Sequence, residues 1–342
     1  MSGVIGVLTA GGDCPGLNAV IRAVVGRAGE HYDAEVVGVQ NGWEGLMNGR
    51  TRPLDRDSVR GILSRGGTIL GTSRMDPYVH GDGYESVRRT IESNGIESLI
   101  VIGGDGTLRT ALKLSEEGLS VVGVPKTIDN DIAATDYTFG FDTALSIATE
   151  AVDRIATTAE SHNRIMLVEV MGRTKGWIAT YAAIAGGADG LLIPEVPYDL
   201  DDIAAALKRR HRQGRTYSVV VVAEGVAPPD GVSVDHPVDA FGFERLGGVA
   251  YQIAPELESR TGFETRVTVL GHLQRGGTPT AFDRVLGTRF GAAAVDLALA
   301  GQSRVMVAVR ADEMVSVPLT EACESVRGVD EDLYGLAATF FS

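Results

Sequence analysis

Three aspartates stand in loops that directly follow apolar runs of the sequence. Asp105 lies in the run GGDGT at 103–107, and Asp129 and Asp131 lie in TIDND at 127–131. A carboxylate beside a phosphate needs a cation between the two negative charges, so Asp105 is a candidate Mg²⁺ ligand, although a helix N-cap would also explain it. Of the other two, one could act as a general base and the second as a metal-binding or structural carboxylate. A solvated Asx-turn would explain one of them more simply.

A third loop, GGDCPGLN at 11–18, follows the apolar run Val4–Thr9. Its glycines let backbone N–H groups approach a phosphate, and the helix that follows offers its positive N-terminus. An ordinary glycine-rich turn explains this loop equally well by itself. In open α/β sheets, however, ligands bind at the carboxyl ends of the strands, and three such loops in one sheet are less expected by chance.

Several arginines lie at the starts or ends of other apolar runs. Arg164 and Arg266 each start a run, whereas Arg74, Arg173 and Arg275 lie in glycine-containing loops. Each of them alone is more often a surface ion pair than a ligand. The chain as a whole is acidic, with 31 Lys and Arg against 45 Asp and Glu and a net charge of −14. In such a chain, arginines grouped with glycines favour bidentate recognition of phosphate.

Composition excludes several classes of protein. The acidic balance argues against nonspecific binding to nucleic acid or anionic membranes. Two cysteines, Cys14 and Cys323, are too few for a disulfide framework or a Cys-rich zinc site and suit a reducing cytoplasm. The N-terminus does not resemble a signal peptide, and no apolar run approaches the ~20 residues of a membrane span. We expect a cytoplasmic protein.

Familiar catalytic motifs are missing from the sequence. GxxxxGK[ST], HExxH, GxSxG and a GxGxxG after the first strand do not occur. P-loop NTPases, zincins, α/β-hydrolases and standard dinucleotide-dependent dehydrogenases therefore lose support. Phosphoryl transfer without a P-loop is the chemistry that remains.

Short apolar runs alternate with amphipathic stretches along the whole chain. The runs predicted as strands are Val4–Thr9, Ala34–Gln40, Ser98–Ile102, Val121–Val124, Ile165–Val170, Leu191–Pro194, Tyr217–Ala223, Arg266–Leu270 and Arg304–Val309. The stretches predicted as helices are Leu17–Ala28, Tyr84–Ser93, Leu108–Glu117, Thr143–Thr158, Leu200–Arg212, Val249–Ser259 and Ala281–Leu299. This alternation predicts one or two parallel, doubly wound α/β sheets. We expect a loop at 227–242 and a change of domain near Gly140.

Five segments together resemble the 6-phosphofructokinase family. They are the runs at 11–18, 103–107 and 127–131, with MGR at 171–173 and GHLQRGG at 271–277, and they follow the order of that family over about residues 4–310. The resemblance implies an α/β protein of two doubly wound, mainly parallel-sheet domains with the active site in the cleft between them. It implies a nucleotide-binding domain of residues 1–139 plus about 274–325, and a sugar-phosphate-binding domain of residues 140–273 plus the C-terminal tail.

The reaction implied by the resemblance is transfer of the γ-phosphoryl group of Mg-ATP to the 1-hydroxyl of fructose 6-phosphate. Asp129 resembles the general base, and Asp105 resembles the Mg²⁺ ligand. Thr127 and Asp131 resemble the neighbours of the base, which position the transferred group and the base. The full catalytic group is Asp129, Thr127, Arg74, Arg173 and Asp131. Nucleotide-binding residues are implied at Gly11, Arg74, Gly104, Asp105, Gly106 and Thr107. Sugar-phosphate-binding residues are implied at Thr127, Ile128, Asp129, Arg164, Met171, Gly172, Arg173, Glu224, Arg266, His272, Leu273, Gln274 and Arg275.

Oligomerisation is also implied, because the family takes its equivalents of Arg164 and Arg266 from a neighbouring subunit. We therefore expect a homotetramer, or a homodimer, with shared active sites. The effector-site arginines of compact allosteric members are only partly present: Arg22 matches, whereas Gly26 and Ala156 replace arginines. The run at 227–242 resembles an insertion relative to those members.

The signature for the phosphoryl donor is mixed. Pyrophosphate-using members resemble Gly-Gly-Asp-Asp followed by Pro-Lys-Thr, and ATP-using members resemble Gly-Gly-Asp-Gly followed by Pro-Gly-Thr. This chain has Gly106 and Lys126. Because glycine at 106 leaves room for the nucleotide α-phosphate, we predict ATP as donor, with pyrophosphate as the alternative.

Two other functions stay open on sequence alone. One is a kinase that acts on another phosphorylated acceptor. The other is a non-catalytic sensor of nucleotide or sugar phosphate, which could lose Asp105 or Asp129 without penalty, although this chain keeps both.

Overall fold

The computed structural model describes residues 3–229 and 246–341, and these form two compact units. Unit 1 comprises residues 3–128, 132–143 and 275–326, and unit 2 comprises 129–131, 144–229, 246–274 and 327–341. Most of the predicted loop at 227–242 lies outside the described residues. How the units divide the binding of ligands stays a prediction, as do the domain boundaries taken from the resemblance.

Strands and helices alternate through both units. The strands are β1 Val4–Thr9, β2 Glu35–Val39, β3 Thr51–Leu54, β4 Ser98–Gly103, β5 Val121–Thr127, β6 Phe139–Gly140, β7 Ile165–Val170, β8 Gly190–Leu192, β9 Ser218–Ala223, β10 Thr265–Val269, β11 Val305–Arg310 and β12 Glu313–Pro318. The α-helices are α1 Leu17–Tyr32, α2 Gly42–Met47, α3 Gly83–Ser93, α4 Asp105–Glu116, α5 Phe141–His162, α6 Trp177–Ala185, α7 Leu200–Arg212, α8 Val249–Thr261, α9 Ala281–Leu299, α10 Leu319–Ala322 and α11 Glu331–Ala338. Two 3₁₀ turns cover Pro77–Val79 and Gly271–Arg275.

Unit 1 is built on one mainly parallel sheet with the order β12-β11-β5-β4-β1-β2-β3, and β6 pairs with β5. Only the flanking strands β3 and β12 run antiparallel to their neighbours within this described sheet. Every residue of β4 and β5 is buried, which is the pattern of strands covered by helices on both faces. The carboxyl ends of β5, β4 and β1 are therefore side by side at one edge of the sheet.

Unit 2 is built on a parallel sheet with the order β10-β7-β9-β8. Glu169, next to the last residue of β7, is 1% exposed and accepts hydrogen bonds from the backbone N–H groups of Gly248 and Ala250 at 2.6 and 2.9 Å. The buried carboxylate thus satisfies donors that the first turn of α8 cannot pair within the helix. This arrangement ties α8 to the centre of the sheet.

The mixed α/β fold with mostly parallel sheets confirms the predicted fold class, and each predicted strand and helix overlaps one in the structure. Sequence reasoning missed the flanking strands β3 and β12, the two-residue β6, and the helices α2, α6, α10 and α11. It also placed β8 at Leu191–Pro194, whereas the strand is Gly190–Leu192. Within the described ranges, no helix has the length and apolar character needed to cross a membrane.

Candidate active site

The three loops singled out in the sequence follow three adjacent strands of unit 1. Gly11 comes directly after β1, Gly104 directly after β4, and Thr127 ends β5. The backbone N–H of Ala10 donates to the carbonyl of Ile102 at 3.0 Å, so the first two loops start from paired strands. The carboxyl edge of this sheet therefore gathers most of the residues predicted to bind nucleotide.

The loop at 11–13 is fixed by its own backbone and by the chain at 72–74. Gly11 has a φ of 81°, a left-handed conformation that glycine adopts at little cost. Its N–H donates to the carbonyl of Ser73 at 2.9 Å, and its carbonyl accepts from the Thr72 hydroxyl at 2.6 Å. Arg74, the next predicted residue, is exposed directly beyond this junction.

The GGDGT loop forms the N-terminus of α4, with Gly104 at the N-cap. An ideal Cβ placed on Gly106 would meet no atom within 4 Å. Thr107 is buried, and its Oγ1 lies 3.3 Å from the Cβ position of Gly11, so the first two loops pack against each other. The space beyond Gly106 and the N–H groups of the first turn of α4 form a surface suited to an anion.

Asp105 is not the N-cap of α4, so that alternative from the sequence is wrong. Gly104 occupies the cap without a side-chain hydrogen bond, and both Asp105 carboxylate oxygens accept from Nε of Arg109, at 2.9 and 3.0 Å. Sequence reasoning missed Arg109, although its i, i+4 spacing from Asp105 on a helix is a recognisable signal.

Asp105 fits Mg²⁺ as one protein ligand among several non-protein ones. The Asp105 side chain is 32% exposed, and Arg109, which pairs with it, would compete with a metal ion for its carboxylate oxygens. The described residues contain no group of three or more His, Cys, Asp or Glu side chains able to hold a metal. Mg²⁺ commonly keeps several waters and binds through one or two carboxylates plus substrate phosphates. A lone carboxylate at a phosphate-type loop is consistent with that mode of binding.

Two cations lie against the loop at 11–13. Lys126 is 3% exposed, and its Nζ donates to the carbonyl of Gly12. Arg275 donates through Nη1 to the carbonyl of Asp13 at 3.1 Å. Cys14, next in the loop, is buried, and burial raises the pKa of its thiol far above the ordinary value, so the thiol stays neutral beside these cations.

The end of β5 is held by a carboxylate that the sequence did not reveal. Asp283 is fully buried near the start of α9 and accepts from the N–H groups of Gly140 and Thr143, each at 2.8 Å, and from the Thr143 hydroxyl at 2.5 Å. Gly140 is paired with Thr127 across β5 and β6. Burial raises the pKa of Asp283 to about 6. Nothing in the sequence around Asp283 indicates that this aspartate binds the backbone at 140–143.

Residues 129–131 belong to unit 2 and are buried. Asp129 is 7%, Asn130 1% and Asp131 9% exposed. Asn130 has a φ of 51°, an uncommon left-handed conformation that asparagine tolerates better than most residues. The predicted base therefore lies in a tightly turned, buried segment of the chain.

A second group of predicted residues lies at the carboxyl edge of the sheet of unit 2. Met171–Arg173 follow β7, and Glu224 follows β9, with its N–H donating to the carbonyl of Val170 at 2.9 Å. The backbone N–H of Arg173 donates to Oε1 of Glu224 at 3.0 Å. Gly172 and Glu224 thus lie in two touching loops, as residues that hold one ligand would.

Arg164 and Arg266 lie at the opposite edge of that sheet. Arg164 immediately precedes β7, and Arg266 is the second residue of β10. Both pair with Glu264, which Arg164 Nε contacts at 2.7 Å, and Arg164 is the main cause that lowers the pKa of Glu264. Strands of this length span about 17 Å. The fold of one chain therefore does not bring these arginines to Met171–Arg173.

The residues of the run at 271–275 differ in their exposure to solvent. His272 and Leu273 are exposed, whereas Gln274 is fully buried and its amide donates to the carbonyl of Gly271 at 3.2 Å. Arg275, at the start of the next piece of unit 1, contacts the loop at 11–13 as described above. In the structure, Gln274 supports the turn through this hydrogen bond.

Comparison with known proteins decides the family. The sequence profile of the family described as Phosphofructokinase matches residues 4–298. This chain belongs to the phosphofructokinase family. It is 53% identical over 340 residues to an Amycolatopsis methanolica protein named pyrophosphate–fructose 6-phosphate 1-phosphotransferase, with 98% of this chain and 99% of that protein covered.

Relatives of this phosphofructokinase-family chain carry two kinds of name. A Streptomyces coelicolor protein named ATP-dependent 6-phosphofructokinase 2 is 52% identical over 340 residues, covering 98% of this chain and 99% of that one. Among solved structures, Pichia pastoris phosphofructokinase in the T-state matches with a TM-score of 0.84 and 34% identity, covering 99% of this chain and 39% of that longer one. The chain is a phosphotransferase of this family, and its relatives do not agree on the donor.

Proposed function

We propose that this protein is an ATP-dependent 6-phosphofructokinase, which transfers the γ-phosphoryl group of Mg-ATP to the 1-hydroxyl of fructose 6-phosphate. The observation that carries the proposal is the carboxyl edge of the unit 1 sheet, where the loops at 11–13 and 104–107 and the end of β5 at 126–127 belong to three adjacent strands. A cytoplasmic location belongs to the same proposal and fits two free, buried cysteines, Cys14 and Cys323.

The space at Gly106 supports ATP as donor. Nothing lies within 4 Å of a Cβ placed on Gly106, so a nucleotide phosphate can approach the helix N-terminus there. A carboxylate at this position would repel that phosphate. Gly11, Gly104 and Thr107 complete the surface offered to the donor, and Arg74, an exposed residue, is assigned to the transferring group.

Pyrophosphate is the second candidate donor, because Lys126 is a buried ammonium beside the same loops. An additional cation suits a donor that carries its charge on two adjacent phosphates. Against this, Nζ of Lys126 donates to the carbonyl of Gly12, which gives the lysine a role in holding the loop at 11–13 whichever donor binds.

The chemistry follows from the residue types. Mg²⁺ held by Asp105 would neutralise charge on the donor phosphates. Asp129 accepts the proton of the 1-hydroxyl as the hydroxyl oxygen bonds to the γ-phosphorus, the bond from the γ-phosphorus to the β,γ-bridging oxygen breaks, and ADP leaves with that oxygen. A positioned base contributes about 10²–10⁴-fold. Thr127, Ile128 and Asp131 hold Asp129 and the acceptor in line, while backbone N–H groups face the charge that develops on the phosphoryl oxygens.

The acceptor would be held by residues of unit 2 and by a second subunit. Met171, Gly172, Arg173 and Glu224 lie in touching loops suited to sugar hydroxyls, and His272 and Leu273 are exposed beside β10. We assign Arg164 and Arg266 of a partner subunit, with Arg275, to the 6-phosphate. Their place at the far edge of the unit 2 sheet supports a homotetramer or homodimer with shared sites.

A coupled assay with fructose 6-phosphate tests the proposal. The purified protein is given ATP or pyrophosphate at equal Mg²⁺, and formation of fructose 1,6-bisphosphate is followed. We expect kcat/KM to be at least tenfold higher with ATP. A higher value with pyrophosphate would reverse the choice of donor, and no product with either donor would contradict the whole assignment.

A further inference from the structure

The C-terminal segment lies against the loop that carries Asp129. The backbone N–H of Arg327 donates to the carbonyl of Asp131 at 2.8 Å. Its guanidinium donates through Nη2 to the carbonyl of Asn130 at 3.2 Å. One residue, almost two hundred positions away in sequence, thus holds two consecutive peptide groups next to the proposed base.

Arg327 is itself fixed from the other side by α6. Its guanidinium carbon lies 4.4 Å from the centre of the Trp177 ring, a cation–π geometry, and Nε1 of Trp177 donates to the Arg327 carbonyl at 2.9 Å. Two residues further on, the N–H of Val329 donates to Oε1 of Glu195 at 3.1 Å, and Glu195 also accepts from the N–H of Gly176. The segment is therefore anchored at Arg327 and again at Val329.

The loop at 129–131 needs such a hold. Asn130 is almost completely buried in a left-handed conformation, which is uncommon for a non-glycine residue, although asparagine adopts it more readily than most. The Asn130 carbonyl belongs to the peptide group that joins Asn130 to Asp131. Through the backbone torsion angles of Asn130, the direction of this carbonyl is linked to the orientation of Asp129. A donor fixed on that carbonyl restricts rotation of the whole turn.

We propose that Arg327 is a positioning residue for phosphoryl transfer, which holds the carbonyls of Asn130 and Asp131 so that Asp129 faces the acceptor hydroxyl. This inference rests on the proposed function, because it assumes that Asp129 is the base. Arg327 acts only through the loop and touches neither substrate in this assignment. Loss of its guanidinium should therefore lower kcat and leave the KM values of both substrates nearly unchanged.

Arg304 offers a matched control. Its guanidinium also donates to two backbone carbonyls, those of Ser115 and Glu116, at 2.8 and 3.2 Å, but these lie at the end of α4 and not in the loop of Asp129. The test compares Arg327→Ala, Arg327→Lys and Arg304→Ala in the full-length protein. Lysine keeps the charge over Trp177 but cannot reproduce the planar donor fork.

We expect Arg327→Ala to lower kcat at least tenfold with both KM values within twofold of the wild type, and Arg327→Lys to recover part of that loss. Arg304→Ala should keep kcat within twofold. The inference is overturned if Arg327→Ala keeps kcat within twofold, or if Arg304→Ala loses as much activity at an equal change in Tm.

Hydrogen exchange separates this inference from the proposed function. Amides of residues 129–132 should exchange at least tenfold faster in Arg327→Ala than in the wild type and should not change in Arg304→Ala. If the wild type is inactive with both donors, the proposed function fails, and unchanged exchange in Arg327→Ala would independently show that Arg327 does not hold the loop.

Discussion

Asp105 and Asp129 have the same side chain in environments that suit opposite tasks. Asp105 is partly exposed on the first turn of α4 and pairs with Arg109, so it is accessible to a hydrated cation. Asp129 is buried within a left-handed turn, where a base can be held at one hydroxyl. The difference comes from the elements around them, and the sequence alone could only mark both as candidates.

Replacing Asp129 with alanine should lower kcat with fructose 6-phosphate by about 10²–10⁴-fold, because the reaction loses its general base. Binding of the nucleotide should persist, since unit 1 supplies the residues proposed for it. Steady-state kinetics and calorimetric titration with an ATP analogue measure the two effects. Asp153→Ala, an exposed carboxylate on α5, is the control and should be neutral. Near-normal turnover in Asp129→Ala would exclude Asp129 as the base.

Replacing Gly106 with aspartate should raise the KM for ATP at least tenfold, because a carboxylate then faces the nucleotide phosphates. With Lys126 still present, the variant should gain relative activity with pyrophosphate. Gly106→Ala adds only a methyl group in open space and should change the KM for ATP less than threefold. An unchanged KM in the aspartate variant would remove the argument for space at this position.

At the scale of elements, the apolar runs of β1, β4 and β5 could be predicted because buried parallel strands need nearly continuous apolar sequence. The sequence did not predict β3 and β12, because strands at the edges of a sheet include polar and proline residues, such as Arg52 and Pro53 in β3. α6 was also missed, because a helix with apolar residues on most of its surface lacks the amphipathic period.

The buried Asp283 links α9 to β6 and gives this junction a pH dependence. Its pKa is raised by burial from 3.8 to about 6, so the folded protein holds the proton more tightly than the unfolded chain. Asp142 is the neighbouring acid that adds to this rise. The contribution of Asp283 to the free energy of unfolding is therefore present below pH 3.8 and is lost as pH rises through about 6.

Between pH 5 and 8, this group should lower the free energy of unfolding by about 1.4 kcal/mol. Asp283→Asn removes the titrating group but keeps one carbonyl acceptor. The free energy of unfolding of this variant should therefore not fall with pH in this way. Urea unfolding of both proteins at several pH values gives the difference. Parallel pH curves for the wild type and the variant would contradict the raised pKa.

At the scale of the whole molecule, the placement of Arg164 and Arg266 near the start of their strands could be predicted from the apolar runs that follow them. Arg164 immediately precedes β7 and Arg266 is the second residue of β10, whereas Arg173 follows β7. The direction of the strands therefore places these arginines at opposite edges of the unit 2 sheet. Only the family resemblance indicated that a second copy supplies Arg164 and Arg266.

The proposal that subunits share active sites can be tested by subunit mixing. Asp129→Asn and Arg266→Ala should each be nearly inactive, and hybrids formed by unfolding and refolding them together contain sites with both native residues. For random pairing of equal amounts, about a quarter of wild-type activity should return. Mixing each variant with inactive Asp129→Asn,Arg266→Ala protein is the control. No recovery in confirmed hybrids would place both residues in the same subunit's site.

The path of the chain has a consequence for how the protein is made. β11 pairs with β5 at Val305 and Val122, so the sheet of unit 1 has an unfilled position until β11 has left the ribosome. A nascent chain that stalls before this point presents a bare hydrophobic strand to its surroundings. Synthesis of this protein should therefore depend on chaperones that shield such strands until translation finishes.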